Sequence, residues 1–368
     1  MIQAPNPSRF LPEPALVLHA LRTALAATLT AALTRLLGLE QGYWAVFSAV
    51  LVMQADFGSS LQASWTRLFG TAVGAALGAL AATLAETLLG PGASALTLAM
   101  FAAIFLCAVL SGRGENFRLA GVTAAIVISL HQGGADAFAL GASRFLEVGL
   151  GIVVALGVSL AWPSRARVIL RVGAAKGLAA LAGLTAELMD SRLSGRYDQA
   201  RVFHSKDQVL RLALKNRQLL AAARREPGQR GEAELLADLL QTLERMAEHL
   251  LAMDHAIENA PPEGFHLHLA GELSNLGTGV QAVMLGLADA VREPTARRLE
   301  ASQPAGFAAA QAGLARTLAA AEDKLLALRP TRVIAGYDLD EVMHFYSFYH
   351  GLRETARETL ALAARLAG

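Results

Sequence analysis

The sequence predicts an all-α membrane protein in which six transmembrane helices, arranged as a 3+3 inverted repeat, precede a helical bundle that stays in water. Three observations carry this reading. The mean hydropathy of the 368-residue chain is +0.40, high for a protein that is water-soluble throughout. Only 14 of its 63 charged residues fall in the first 164 positions. Within those positions polar interruptions mark off apolar stretches, and crossing ~30 Å of hydrocarbon takes about 20 helical residues. Residues 1–164 are therefore assigned to a transmembrane domain and 165–368 to a cytoplasmic α-helical domain.

The opening MIQAPNPSRFLPEP is proline-rich and lacks a basic leader and a cleavage site, so the first span is expected as a retained helix. The six spans run from Ala15 to Leu37, Tyr43 to Ala55, Leu68 to Leu89, Ala93 to Leu110, Leu119 to His131 and Phe145 to Trp162. From Arg165 onward no apolar run of spanning length is read. Apolar residues instead recur at three- and four-residue spacing, as in Leu235, Leu236, Leu239, Leu240, Leu243, Met246 and Leu250. Breaks at Glu226-Pro227-Gly228, Pro261-Pro262, Glu293-Pro294, Gln303-Pro304 and Arg329-Pro330 divide this half into about six helices.

Short loops keep Arg and Lys on the cytoplasmic side, which sets the orientation. Arg9, Arg67, the Arg113 to Arg118 loop, Arg165, Arg167, Arg171 and Lys176 fall on one side of a six-crossing path, and Glu40, Glu86 and Asp136 on the other. Arg35 and Arg144 run against the trend, each with an acid nearby. Both termini are expected in the cytoplasm. With 25 basic and 24 acidic residues, the bundle carries no nucleic-acid footprint. The single cysteine, Cys107, excludes an intrachain disulfide and a cysteine-built metal site.

Three spans followed by three predict matched features in opposite orientation. Span three opens TRLFGTAVGAALG and span six SRFLEVGLGIVVALG, with Arg67 and Arg144 at the start and Gly74 and Gly151 seven residues on. The spans before them are the two shortest, ending at Gln54-Ala-Asp56-Phe-Gly58 and His131-Gln-Gly-Gly134. The row Gly70, Gly74, Gly78 is a face for close helix packing, within the chain or between chains.

From Gly42 to Thr71 the sequence GYWAVFSAVLVMQADFGSSLQASWTRLFGT resembles the signature of the fusaric-acid-resistance and aromatic-acid-exporter family of bacterial inner-membrane proteins. The resemblance rests on Tyr43-Trp44-Ala45, a valine-rich span, Gln54 before Gly58, and Arg67-Leu-Phe-Gly70-Thr71. The last span, with Arg144 at its head and Trp162-Pro163 at its end, resembles the family's final helix. His19-Ala-Leu-Arg22, Trp44-Ala45 and Arg67 are also similar to plant aluminium-activated malate channels, which share the six-helix design. The resemblance covers about residues 15 to 165. It implies an inner-membrane location and export of small organic anions, aromatic carboxylates above all. Larger exporters carry the six-helix unit twice or add long soluble regions, whereas this chain carries it once, so the resemblance implies completion by a homodimer, with the bilayer and an anionic substrate as its other partners; no cofactor is expected.

Charged residues within spans are functional candidates, because burying a charge in hydrocarbon costs several kcal/mol. Arg22 lies about 10 Å into the first span, with snorkelling to the headgroups as the alternative. Arg67 and Arg144 are placed at helix ends, as interfacial anchors or as part of an anion path between spans two and five. Arg can grip a carboxylate through two parallel hydrogen bonds. Trp44 is either a belt anchor or a stacking surface, and Gln54 joins the path through the resemblance. Asp56 and Glu147 either couple a proton or pair with Arg67 and Arg144. Glu341-x-x-His344 has helical ligand spacing but lacks a second such motif for a di-iron site, and His266 and His268 lack a carboxylate cluster. The aromatic run from His344 to His350 reads as bundle core or interfacial patch. No Walker loop is present. The leading function is a secondary efflux transporter for organic anions. The alternatives are a passive anion channel of the malate-channel type and a non-transporting membrane anchor for a signalling bundle.

Overall fold

The computed structural model describes residues 14–131, 136–162, 165–226, 230–258, 260–292 and 305–367. The chain divides into two compact units, Met1–Ala166 and Arg167–Gly368. In the first, α1 is Pro14–Leu36, α2 Tyr43–Val52, α3 Phe57–Leu89, α4 Ala93–Leu110, α5 Glu115–His131 and α6 Ala137–Ala161. In the second, α7 is Ala166–Ser194, α8 Gln199–Ala223, α9 Arg230–Glu258, α10 Ala270–Arg292, α11 Ala305–Leu328 and α12 Leu339–Ala367. The described residues contain no strand. The opening segment with Arg9, the glycines after His131, Pro163, and the breaks at Pro227-Gly228, Glu293-Pro294 and Gln303-Pro304 lie outside the described residues.

The first unit is built inside out relative to a soluble bundle. Large apolar side chains point outward, among them Leu21, Leu25 and Leu29 of α1, Phe101 and Phe105 of α4, and Leu146 and Val153 of α6. Its interior is mostly small residues. One core joins Ala79 and Ala82 of α3, Ala99 and Ala103 of α4, and Ala124 and Ile128 of α5. A second joins Ala26 of α1, Ala49 and Val52 of α2, and Val148, Ile152 and Ala155 of α6. Small residues inside let backbones approach, and an apolar exterior suits hydrocarbon.

Four helices of this unit, α1, α3, α4 and α6, are long and apolar enough to cross a membrane. Six equal spans are not what the chain forms. Helix α2 has 10 residues, about 15 Å, because the chain leaves the helix at Met53 to re-enter at Asp56. Helix α5 has 17 residues, about 25 Å. The expected starts of spans three and six also move. Asp56 Oδ1 accepts from Ser59 N at 2.7 Å and Asp136 Oδ2 from Ala139 N at 3.0 Å, so both helices begin on an aspartate cap. Arg67 and Arg144 consequently sit well inside α3 and α6, not at their ends.

The glycine row of α3 is filled within the chain. A Cβ at Gly70 would stand 2.7 Å from Asn116 O, one at Gly74 2.7 Å from Thr123 Cβ, and one at Gly78 2.9 Å from Ala124 Cα. These contacts advance together along α3 and α5, so the two helices run parallel. The face is occupied by α5, which removes it as a ground for association of two copies.

A fifth helix of spanning length and composition, α7, corrects the reading that the second half has none. Half of its apolar window (50%) is buried, against 17% in α1. Leu170, Leu178, Leu181, Leu184 and Leu188 lie in the interior, so α7 is apolar because the bundle wraps it. Its end at Ser194 comes without proline, at Gly195 with φ 66°, and Asp198 caps α8. The aromatic run is core: Phe345, Phe348 and Tyr349 are buried, and Phe345 meets Phe265 edge to face at 4.8 Å between centroids.

Glu341 accepts from Phe265 N at 2.6 Å and so ties α12 to the segment before α10. Among the described residues no three His, Cys, Asp or Glu side chains gather to hold a metal. His266, 0% exposed, is pushed down to about 4 by burial and by the neighbouring charge of Arg192. The unfolded chain, titrating near 6.5, therefore takes this proton first. Stability contributed here is complete above pH 6.5 and lost as pH falls toward 4, by about 3 kcal/mol in all. Denaturant unfolding of the second unit followed across that range should show this slope, and His266→Leu should flatten it.

Gly74→Ala should destabilise the first unit by about 1–3 kcal/mol, because the neighbouring α5 backbone cannot yield. Gly149→Ala, whose Cβ meets nothing within 4 Å, should be neutral or stabilise by about 0.5–1 kcal/mol. Thermal unfolding in one detergent compares them. Equal shifts would contradict the close α3–α5 approach.

Candidate functional site

Helix α2 is the strip on which the arginines converge. Its first turn presents Trp44, its middle Ser48, and the linker beyond it the carbonyl of Ala55. Each of the three receives a guanidinium from a different helix.

Arg144 of α6 is 3% exposed and pairs one turn on with Glu147, Nη1 to Oε2 at 3.1 Å. Its guanidinium carbon stands 4.8 Å from the centroid of the Trp44 ring, a cation–π contact that burial of the Arg144 side chain strengthens. Arg67 of α3 donates from Nε to Ser48 Oγ at 3.2 Å, and that hydroxyl donates in turn to Trp44 O at 2.8 Å. Arg67 forms no ion pair among the described residues. Arg22 of α1, 1% exposed, donates from Nη2 to Ser159 Oγ of α6 at 2.7 Å and from Nη1 to Ala55 O at 3.4 Å.

The acids divide the two expected pairings. Glu147 is the partner of Arg144. Asp56 is not the partner of Arg67: its two oxygens accept from Ser59 N and from Ser59 Oγ at 2.9 Å, and its charge acts on Arg22. Gln54 is half-buried in the linker, where its amide donates to Leu51 O at 3.1 Å and its backbone N–H to Ser60 Oγ at 2.9 Å. It shapes the break between α2 and α3. The polar partners of the three arginines lie on α2, its linker and α6, so the cluster is centred on α2 and not between α2 and α5. Ser48 and Ser159 join it with no signal in the sequence to announce them, since a lone serine in an alanine-rich helix reads as filler.

Two acids against three arginines leave one positive charge in excess. Three donors are also unspent: the Nε atoms of Arg22 and Arg144 and the indole N–H of Trp44 are buried without a hydrogen-bond partner. Buried polar groups are ordinarily satisfied, and the two orphans whose side chains touch, Arg144 Nε and the Trp44 indole, mark a place for water, an ion or a ligand.

The Arg144–Glu147 pair sets a test of the site's electrostatics. Glu147→Leu leaves a buried guanidinium without its acid and should cost about 3–5 kcal/mol. Replacing both residues together, Arg144→Met with Glu147→Leu, should recover most of that loss. Thermal unfolding of the parent, Glu147→Leu, Arg144→Met and the double variant closes the cycle, and additive effects would show that the two charges do not interact.

Residues 27–158 match the family model described as fusaric acid resistance protein-like, so over that segment the resemblance to the fusaric-acid-resistance family holds. No curated protein matches the chain.

Proposed function

We propose that this protein exports small organic anions, aromatic carboxylates above all, across a bacterial inner membrane. The observation that carries the reading is Arg144: a guanidinium 3% exposed, against the Trp44 ring at 4.8 Å, with its Nε unpartnered. A carboxylate joined to a flat ring needs a fork of N–H donors beside an aromatic face, and this corner supplies both. The match of residues 27–158 to a family described by resistance to an acid supports the same reading.

Glu147 gives the exchange a proton. While ionised it occupies Arg144; once protonated it releases the fork to an incoming carboxylate. Arg67, held only by a hydroxyl, draws the anion toward α2, and Arg22 continues the positive potential beyond the linker. The repeat belongs to this reading. Gly74 of α3 lies against Ala120 of α5, and Gly151 of α6 against Ala45 of α2, so each long helix presses its glycine onto the short helix of the other half. Both long helices also start on aspartate caps. Both termini and the second unit are taken as cytoplasmic from the distribution of arginines.

Flux of benzoate from proteoliposomes tests the proposal. Arg22→Ala, Arg67→Ala and Arg144→Ala each remove a charged hydrogen bond worth about 1.5–3 kcal/mol, so apparent affinity should fall about tenfold or more. Lysine at these positions keeps the charge, loses the fork and should restore only part. Arg35, exposed in the last turn of α1, should tolerate Ala with flux unchanged. Uphill flux on a pH gradient identifies a carrier, and gradient-independent conductance a channel. If all four Ala variants fold and move benzoate like the parent, the arginines are anchors and the mechanism fails.

A further inference from the structure

The second unit buries one amide where its neighbours are apolar. Asn216 of α8 is 2% exposed, and its Oδ1 has no hydrogen-bond partner. Two glycines four residues apart on α7 clear the space for it. A Cβ at Gly173 would collide with the amide oxygen and stand 3.2 Å from Cγ, and one at Gly177 would stand 3.8 Å from Nδ2. Larger residues at either position would shut the amide out. A core position that needed only filling would carry leucine, which fits the volume and leaves nothing unpaired.

The same amide borders a cavity of about 310 Å³ between α7, α8 and α9. Leu181, Val209, Leu240, Leu243 and Ala247 supply apolar walls. At the rim Arg217 donates to both carboxylate oxygens of Glu244, at 2.6 and 2.9 Å, so the cation there is already spent. Glu248 also lines the cavity and disfavours an anion. Apolar walls, one unsatisfied amide and a half-open mouth of net negative charge are the makings of a small-molecule site at the lower end of the usual size range, ~300–1,000 Å³.

We propose that this cavity binds an uncharged aromatic molecule carrying a single hydroxyl, of phenol or naphthol size. A hydroxyl both donates and accepts, so it satisfies the buried amide whichever of its ends it meets. The ring covers the leucines. A carboxylate is excluded, because no free cation waits for it and Glu248 repels it. The site is thus chemically distinct from the arginine cluster in the first unit, and its occupancy does not depend on how that cluster works.

The test places a reporter thiol on the cavity wall, Ala247→Cys, in full-length protein in nanodiscs; the native Cys107 is buried. The labelling rate by a maleimide is followed against 2-naphthol, naphthalene and 2-naphthoate. The proposal expects saturable protection by 2-naphthol, about tenfold weaker protection by naphthalene, and none by 2-naphthoate. Asn216→Leu, which keeps the volume and removes the amide, should make 2-naphthol and naphthalene equal. Ala213→Phe should fill the cavity and abolish protection, and it decides the matter should the Asn216 variant not fold. Protection by naphthalene equal to that by 2-naphthol in the parent would overturn the proposal. So would equal protection by 2-naphthoate, protection by the nanodisc lipid alone, or protection that survives Ala213→Phe.

Discussion

A guanidinium cannot enter hydrocarbon alone, and the first unit is organised by where three of them find partners. Placing an Arg near the middle of a membrane helix costs at least about 2.5–3.5 kcal/mol. Arg22 and Arg144 are nearly sealed from solvent, and Arg67 is half-buried. Their contacts meet on a 10-residue helix too short to cross the bilayer. The shortness serves them. Because the chain breaks helix at Met53 and restarts at Asp56, the carbonyl of Ala55 is free to accept from Arg22, and the Asp56 carboxylate is brought to bear on the same cation. A continuous helix through this point would consume that carbonyl in its own ladder and leave Arg22 with Ser159 alone.

The rest of the unit holds α2 in place. Helix α6 lies along it, with Gly151 against Ala45 and Ser159 reaching Arg22, while α3 contributes Arg67 and turns its glycines the other way, onto α5. Close backbone contact replaces the large side chains that fill a soluble core, and those side chains are free to face outward. In the second unit the usual order returns: leucine and phenylalanine inside, and ion pairs such as Arg245–Glu358 and Arg217–Glu244 between helices at the surface.

Much of this was legible in the sequence, where hydrophobicity and helix length agree. The bounds of α1 and α4 fall within a residue of those read from apolar runs. The apolar runs place the starts of α3 and α6 eleven and eight residues late, because a charged residue in such a run reads as the interface. The charge was instead buried on an inner face, and the true start signal was an aspartate ahead of each helix. The end of α7 was missed for a related reason: Gly195 stops a helix through its left-handed backbone and leaves no proline to see. Within the site, the residue types were legible and their pairing was not. Period 3.6 tells which residues share a face, but not which neighbouring helix that face meets, so Arg67 was matched with Asp56 and not with Ser48.

The two carboxylates differ in what each holds in place, and under the proposed export this decides which of them is the one to couple anion movement to a gradient. Both oxygens of Asp56 are engaged, one by the Ser59 backbone N–H and one by its hydroxyl, and together they hold the first turn of α3. Protonating Asp56 would weaken a helix start on which the α2 break depends. Glu147 caps nothing: its recorded partner is Arg144, in the middle of α6. Its protonation changes one thing, the availability of that guanidinium. By linkage, an anion that binds Arg144 must raise the proton affinity of Glu147 by the same factor that the proton raises affinity for the anion. Coupling then needs no separate proton relay. The Arg144–Glu147 pair of α6, the Trp44 ring of α2 and the carboxylate of the incoming anion are sufficient for the proposed exchange, and the pair and the ring already lie in contact.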